Sequence, residues 1–333
     1  MSFEYSNSSA LYLPDHISEE LEHARTIEHR DFKRISVEAK LGNVGLGCLY
    51  YQPEEATDDT AIGIVKGLGA PRGVYLGLAE ALAKRGRPVF LYKSPRTQPL
   101  LDLVHPEHQR DPLIYQMQAV HAVAKALRNS EKVTELRGGN PVHQIDLGGH
   151  SMGNYIMAGM AHHDTIEKPY DDVAVRSMTS IAGAGLDGDG GWKQVASHAK
   201  KLWPGIAVDE IWKGIPLIIN SAPKDIKIDA IQHIFRSLPR IIRETAKIVW
   251  SPGVRENTEN VDIPYGTILP ENDQFFYWQK VLQKSGDLFD NNYDIIKDAN
   301  HVYPNTHPEE FAPHLIAMTH ALAKNRQSQR YEA

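Results

Sequence analysis

A serine flanked by glycines, Ser151 in "GGHSMGN", is the residue whose surroundings point most directly to chemistry. Gly149 and Gly153 stand two positions before and after it, a strand pattern that Gln144 and Asp146 make less apolar than usual precedes it at 142–148, and helical spacing follows at 155–163. A tight strand-to-helix turn raises its central side chain above the sheet edge, and flanking glycines relieve crowding there. We therefore expect Ser151 to be a nucleophile; the alternative is a small residue in a glycine-rich bend.

A serine nucleophile needs a base to take its proton, and the base needs an acid to orient it. "LPENDQ" places Asp273 just after a strand pattern, and "DANHVYP" places His301 just after the last one. Because ligand sites in open α/β sheets lie at the carboxyl ends of the strands, we expect Asp273 and His301 to fill these two roles. Glu271 is a rival for the acid. His150 should diverge from Ser151 around the bend and have a supporting or packing role.

Attack by a serine on a carbonyl also requires donors for the developing oxyanion. One expected donor is the main-chain N–H of Met152, the residue that follows the serine. The other is expected in the glycine-rich stretch "KGLGAPRG" (66–73), where Leu68 is the best candidate because its glycine neighbours let the backbone approach a substrate. The alternative for this stretch is a simple glycine turn between a strand and a helix.

Strand and helix patterns alternate along most of the chain. Strand patterns cover 32–42, 44–53, 61–67, 88–94, 142–148, 175–183, 261–269 and 293–299. The main helical patterns cover 17–27, 74–86, 112–129, 155–163, 274–286 and 308–325. This alternation predicts an α/β fold, with a mostly parallel central sheet flanked by helices on both faces.

The alternation stops between about 186 and 252, a stretch rich in tryptophan and amphipathic helical spacing. We therefore expect a lead-in over 1–30, a core domain formed by 31–185 and 253–333, and a helical cap or lid inserted as 186–252. The local excess of basic residues in the insertion has two interpretations. One is a solvated helical face, and the other is a lid biased towards anionic or interfacial substrates.

Composition limits the classes of protein to consider. The chain has 333 residues, 41% of them hydrophobic, a formal net charge of −6 and a single cysteine, Cys48. The length and apolar content suffice for a large packed core, and the negative charge gives no reason to expect nucleic-acid binding. One cysteine excludes a disulfide within the chain, and its apolar setting indicates a buried structural thiol. Without a signal-peptide pattern or a long apolar run, we expect a cytoplasmic protein with no membrane insertion.

Three other patterns suggest bound groups without sufficient support. "GAGLDG" (183–188) matches a dinucleotide-binding pattern, but no helix pattern follows it promptly. "DGDG" (187–190) resembles the start of a calcium loop, but its twelfth position is His198 where glutamate is needed. The adjacent histidines of "AHHD" (161–164) face different directions on a helix and lack a third ligand. We expect no metal and no cofactor.

Taken with their context, these motifs resemble the α/β-hydrolase superfamily, specifically its serine esterase and lipase-like members. The resemblance covers roughly residues 34–325 and rests on "GHSMG", "KGLGAPRG", "PENDQ" and "NHVYPNTHPEEF". It implies a Ser151–Asp273–His301 triad, an oxyanion hole at Leu68 and Met152, and a helical cap over the site. The chain departs from the family at Lys66, where histidine is frequent, and at Asn154, where a smaller residue is common.

The resulting functional hypothesis is a serine hydrolase that cleaves carboxylic esters through an acyl-enzyme, with a small-molecule acyl substrate. Thioester, amide or carbon–carbon cleavage, or acyl transfer, would use the same triad. A non-catalytic ligand receptor on the same fold is the alternative from another class, and the filled triad positions speak against it. The acyl and alcohol parts of the substrate and the oligomeric state stay open.

Overall fold

In the computed structural model, the described part of the chain comprises residues 13–42, 44–67, 70, 72–93, 112–167, 173–186, 254–259, 261–273 and 275–332. Nearly all of the predicted cap, 186–252, lies outside these residues. So do Leu68 and the "DGDG" stretch.

The described residues contain one sheet of eight strands, in the spatial order β1-β2-β4-β3-β5-β6-β7-β8. The strands are β1 Phe32–Leu41, β2 Val44–Pro53, β3 Ala61–Val65, β4 Val89–Tyr92, β5 Gln144–His150, β6 Ala174–Ile181, β7 Tyr265–Pro270 and β8 Tyr293–Ile296. β1 and β2 form an antiparallel hairpin and β2 also runs antiparallel to β4. From β4 to β8 every pairing is parallel. The predicted mostly parallel sheet is confirmed.

Helices occupy both faces of the sheet. Those in the described residues are α1 Asp15–Thr26, α2 Leu76–Lys84, α3 Pro112–Arg128, α4 Glu131–Leu136, α5 Gly153–Glu167, α6 Val254–Thr258, α7 Trp278–Ser285, α8 Tyr303–Thr306 and α9 Pro308–Glu332. A 3₁₀ turn, Arg72–Tyr75, leads into α2. The short helices α4, α6 and α8 were not predicted, since a single turn or two carries too little periodicity to recognise.

Two apolar layers hold the helices to the sheet, because successive residues of a strand point to opposite faces. On one face Ile62 and Ile64 of β3 pack with α1, α2 and α9, for example with Leu82 and Leu315. On the other face, α3 and α5 cover the sheet in a second buried cluster. All five residues of β3 are buried, as expected for a central strand with helices on both sides.

The sequence pattern of β5 is less apolar than a central strand requires, and the reason is a buried ion cluster at Asp146. Its side chain is fully buried and accepts hydrogen bonds from Arg87 (2.8 Å), Arg176 (Nε, 2.9 Å) and Ser177 (2.7 Å). Asp58 joins the same cluster, and the two guanidinium groups, with other contacts, hold the pKa of its carboxyl well below its usual range. The buried negative charge of Asp146 is thus compensated by guanidinium groups that lie far from it in sequence.

Several strand ends differ from the predicted ones, and the largest difference is at β7, which begins at Tyr265 rather than at 261. β5 extends to His150 rather than ending near Gly148, because Gly149 and His150 continue the ladder with Ser180 and Ile181. In contrast, β8 ends at Ile296, three residues earlier than predicted.

Candidate active site

The turn between β5 and α5 holds Ser151 in a conformation that few residues other than glycine adopt. Its φ is 54°, in the left-handed region. The Ser151 N–H donates to the carbonyl of Ile181 at 2.9 Å, and its own carbonyl accepts from Asn154 and Ala184. These bonds at both ends of the residue hold the strained turn in place. The half-buried Ser151 side chain therefore sits at the carboxyl end of the sheet, where the sequence predicted it.

The glycines on either side of Ser151 are required by close packing. A Cβ at Gly153 would lie 2.1 Å from the main-chain oxygen of Val65 on β3, and a Cβ at Gly149 would lie 3.0 Å from the main chain of Gly153. The contact at Gly153 excludes a side chain, because backbone atoms on a packed strand have little room to move, and the contact at Gly149 leaves little room for one. The strand-to-helix bend is therefore as tight as the G-x-S-x-G pattern predicts.

The predicted acid and base are hydrogen-bonded to each other. His301 Nδ1 lies 2.9 Å from Asp273 Oδ2. The second carboxylate oxygen, Oδ1, accepts the main-chain N–H groups of Phe275 (2.8 Å) and Phe276 (3.1 Å). With the Asp273 side chain buried and both of its oxygens engaged, the carboxylate is fixed in one orientation towards the imidazole.

The rival acid, Glu271, faces elsewhere. Its Oε2 accepts the main-chain N–H of Asp298 at 2.9 Å, in an exposed position. Only Asp273 of the two is therefore bonded to the imidazole of His301.

Aromatic rings surround the His301 imidazole, a feature that the sequence reasoning did not predict. The ring centroids of Phe275 and Phe276 lie 4.9 Å and 5.6 Å from that of His301. The signal was present in "DQFFYW", where two phenylalanines stand two and three residues after the acid. Since these rings limit water around the imidazole, they favour a strong His301–Asp273 bond.

His150 was expected to support or pack the bend. Its side chain is buried, and both ring nitrogens make hydrogen bonds. Its Nε2 lies 2.9 Å from the carbonyl oxygen of His301, and its Nδ1 lies 2.8 Å from the hydroxyl of Tyr75. That hydroxyl also accepts the main-chain N–H of Gly67 at 3.0 Å. The His150 and His301 rings are 5.0 Å apart, so the residue before Ser151 brings the Ser151 turn and the His301 loop together.

Asn154, where a smaller residue was expected, has its own bonding partners. The side chain is fully buried; its Nδ2 donates to the Ala184 carbonyl (3.0 Å), and its Oδ1 accepts from the Tyr265 hydroxyl (2.6 Å). The asparagine thus ties the start of α5 to the end of β6 and to β7.

Of the two residues expected to supply oxyanion donors, the structure describes only one. Met152 follows Ser151 directly and its side chain is buried, while Leu68 lies outside the described residues. Its neighbour Gly67 lies close to the turn, since a Cβ there would be 3.3 Å from both Ser151 Cβ and His150 Nδ1. Lys66, the departure from the family pattern, is buried with its ammonium 5.4 Å from the centre of the Tyr92 ring.

Among the described residues, no three or more His, Cys, Asp and Glu side chains are grouped to hold a metal ion. Cys48 is buried in the sheet, and burial raises the pKa of its thiol far above its usual range. A reactive role for this thiol is therefore disfavoured.

Comparison with known proteins identifies the architecture. No protein-family model and no curated protein matches the chain by sequence. Solved structures do match it, among them a bacterial membrane phospholipase A with a TM-score of 0.61 and 16% identity, over 92% of each chain. A bromoperoxidase from Bacillus anthracis matches with a TM-score of 0.56 and 14% identity, over 85% of this chain and 99% of that one. An esterase from Pyrococcus furiosus matches with a TM-score of 0.51 and 13% identity, over 96% and 97%.

The protein has the α/β-hydrolase fold. Within this α/β-hydrolase fold, Ser151, Asp273 and His301 follow β5, β7 and β8, at the carboxyl edge of the parallel strands. No helix in the described part of the chain combines the length and the apolar character that a membrane span needs.

Proposed function

We propose that this protein is a serine hydrolase that cleaves carboxylic esters, with Ser151 as nucleophile, His301 as base and Asp273 as orienting acid. The observation that carries the proposal is the hydrogen-bonded Asp273–His301 pair at the same sheet edge as a serine held at positive φ between a strand and a helix. A strained serine and an oriented imidazole serve nucleophilic attack, whereas neither is needed to stabilise a bend.

In the proposed reaction, the Ser151 hydroxyl attacks the ester carbonyl carbon while His301 takes the hydroxyl proton through Nε2. Asp273 holds Nδ1 and stabilises the imidazolium that forms. The tetrahedral intermediate collapses to an acyl-enzyme, and His301 returns its proton to the leaving alcohol. Water then attacks the acyl-enzyme with the same base, which releases the carboxylic acid and restores the serine.

The negative charge on the carbonyl oxygen requires two hydrogen-bond donors. We assign these to the main-chain N–H groups of Met152 and Leu68. The close approach of Gly67 to Ser151 supports a donor in this loop.

The experiment compares Ser151→Ala with the native protein on short p-nitrophenyl esters. We expect turnover to fall by several orders of magnitude, as when a triad member is removed. Ser130→Ala is the matched control, because Ser130 caps the amino terminus of α4, far along the chain from the turn. Native rates in Ser151→Ala would refute the proposal.

Labelling with a fluorophosphonate separates the enzyme from a non-catalytic receptor on the same fold. We expect one covalent adduct on Ser151 in the native protein and none in Ser151→Ala. Product analysis with competing alcohols, thioesters and amides then identifies the bond cleaved and the acceptor used.

A further inference from the structure

Four groups form a continuous chain of hydrogen bonds across the site, and the bonding chemistry fixes the direction of each bond. The carbonyl of His301 can only accept, so His150 Nε2 carries a proton and donates to it. Burial first, and then the nearby His301, lower the pKa of His150 to about 3, so its ring is neutral near pH 7. Nδ1 is therefore an acceptor, and it receives the Tyr75 hydroxyl proton. The Tyr75 oxygen in turn accepts from the Gly67 N–H.

We propose that His150 and Tyr75 are positioning residues of the active site, linking the glycine loop after β3 to the main chain of His301. This inference rests on the proposed function. The four groups, Gly67 N–H, Tyr75 O–H, the His150 ring and His301 C=O, are called the relay below.

The relay joins three segments whose relative positions matter for the proposed reaction. Gly67 precedes the proposed donor Leu68, His150 precedes the nucleophile, and His301 is the base. Tyr75 and His150 are both buried, with 0% and 4% exposure, so water does not compete for these bonds. The Tyr75–His150 and His150–His301 bonds join residues 75 and 151 positions apart, so the relay sets the distance from the glycine loop to the base.

A neutral His150 is also required by its neighbour. The two imidazole centroids are 5.0 Å apart, and His301 becomes positively charged in the proposed reaction. A second cation at His150 would repel the imidazolium, so the relay keeps the adjacent ring uncharged when the charge forms.

The test uses Tyr75→Phe, which removes one hydroxyl, and His150→Phe, which removes both ring bonds but keeps a ring. We expect each to lower kcat for a short p-nitrophenyl ester roughly 10- to 100-fold, because small displacements of reacting groups have effects of this size. KM is expected to change less than about threefold, since the loss falls on the transition state. Tyr50→Phe is the control: Tyr50 is equally buried and bonds Gln52 and Arg137, on β2 away from the site. It should leave kcat within about twofold.

The double variant, Tyr75→Phe with His150→Phe, tests whether the two residues act as one unit. Once the relay is broken at one point, breaking it again should cost little, so kcat should match that of the worse single variant within about twofold. Losses that multiply, or single variants with native kcat, would overturn the proposal.

Conservative variants keep the test informative if His150→Phe does not fold. His150→Gln retains a donor in reach of the His301 carbonyl, and His150→Asn retains an acceptor near the Tyr75 hydroxyl. Each variant keeps only one of the two His150 bonds, so combining either with Tyr75→Phe should give a kcat within about twofold of the lower single variant, and losses that multiply would overturn the proposal. If Ser151→Ala retains native activity, the proposed function has failed instead, and the two failures are distinct.

Discussion

His301 Nδ1 lies 2.9 Å from Asp273 Oδ2, while Glu271, two residues earlier, accepts the main-chain N–H of Asp298. The two carboxylates are therefore alike in sequence position and different in bonding. Asp273 is buried with both oxygens engaged, and Glu271 lies in an exposed contact. The local chain reversal after β7 directs one side chain inward and the other towards the β8 turn.

The difference in bonding between Asp273 and Glu271 can be tested by neutralising each carboxylate in turn. Asp273→Asn keeps the size of the side chain but removes the charge that holds the His301 tautomer. We expect kcat to fall roughly 10³- to 10⁴-fold. Glu271→Gln should change kcat less than about twofold, because the residue contacts only the Asp298 turn. Steady-state kinetics on one ester compares the two directly, and a larger loss in Glu271→Gln would exchange their roles.

The packing at Gly153 predicts a large effect from a single methyl group. Gly153→Ala would place a Cβ 2.1 Å from the Val65 main-chain oxygen, and the resulting shift should cost about 2 kcal/mol or more in unfolding free energy. Gly286→Ala is the control, because a Cβ there meets no atom within 4 Å and φ is −60°. Urea denaturation should find Gly286→Ala as stable as the native protein or more so. Equal stability of the two variants would contradict the tight bend.

The buried carboxylate of Asp146 predicts a strong dependence of stability on its charge. Asp146→Asn leaves the fully buried Arg87 with less compensation, and we expect a loss of about 3 kcal/mol in unfolding free energy. Asp287→Asn provides the contrast, since Asp287 pairs with Arg255 where both side chains are exposed. That change should cost less than about 1 kcal/mol. Similar losses measured by chemical denaturation would argue against the buried cluster.

Neutral His150 predicts a pH dependence of stability. Its folded pKa is lowered to about 3 from an ordinary value of 6.5. Between these values the unfolded chain takes up a proton that the folded chain does not, so acid destabilises the fold by up to about 1.4 kcal/mol per pH unit. His150→Gln lacks this proton uptake. We expect its unfolding free energy to fall less steeply than that of the native protein from pH 7 to pH 5.

Other groups contribute to both curves in that experiment. Burial, followed by Arg87, lowers the pKa of His320 to about 4, which acts in the same direction. Because His320 is present in both proteins, the difference between the two curves isolates His150. Parallel curves would contradict a buried neutral imidazole at this position.

Sequence periodicity predicted the elements well because each strand and long helix carries its own apolar pattern. All eight predicted strands are present, with most of their ends shifted by a few residues, for example at β5, β7 and β8. The spatial order was not predicted, since β3 lies between β4 and β5 and no local pattern encodes that placement. The order depends on which faces the connecting helices cover.

The candidate site was predicted where motif and strand position coincide, as at Ser151 and His301. Tyr75 carries no comparable signal, because it is one tyrosine at the start of a helix pattern and its partner is 75 residues away. The partners of Asn154 and Asp146 are likewise distant in sequence. The sequence therefore showed a polar residue within an apolar pattern, but it could not show which hydrogen bonds that residue makes. Long-range hydrogen bonds of this kind emerge only when the sheet is assembled.

The positive φ of Ser151 has a consequence for how this chain can change over evolutionary time. Glycine adopts that conformation without strain, so Ser151→Gly would relieve the fold at the one position where the proposed chemistry is initiated. In a duplicated gene released from this reaction, glycine would therefore be tolerated at this site. The identity of residue 151 in a descendant is therefore a record of whether its chemistry is still under selection.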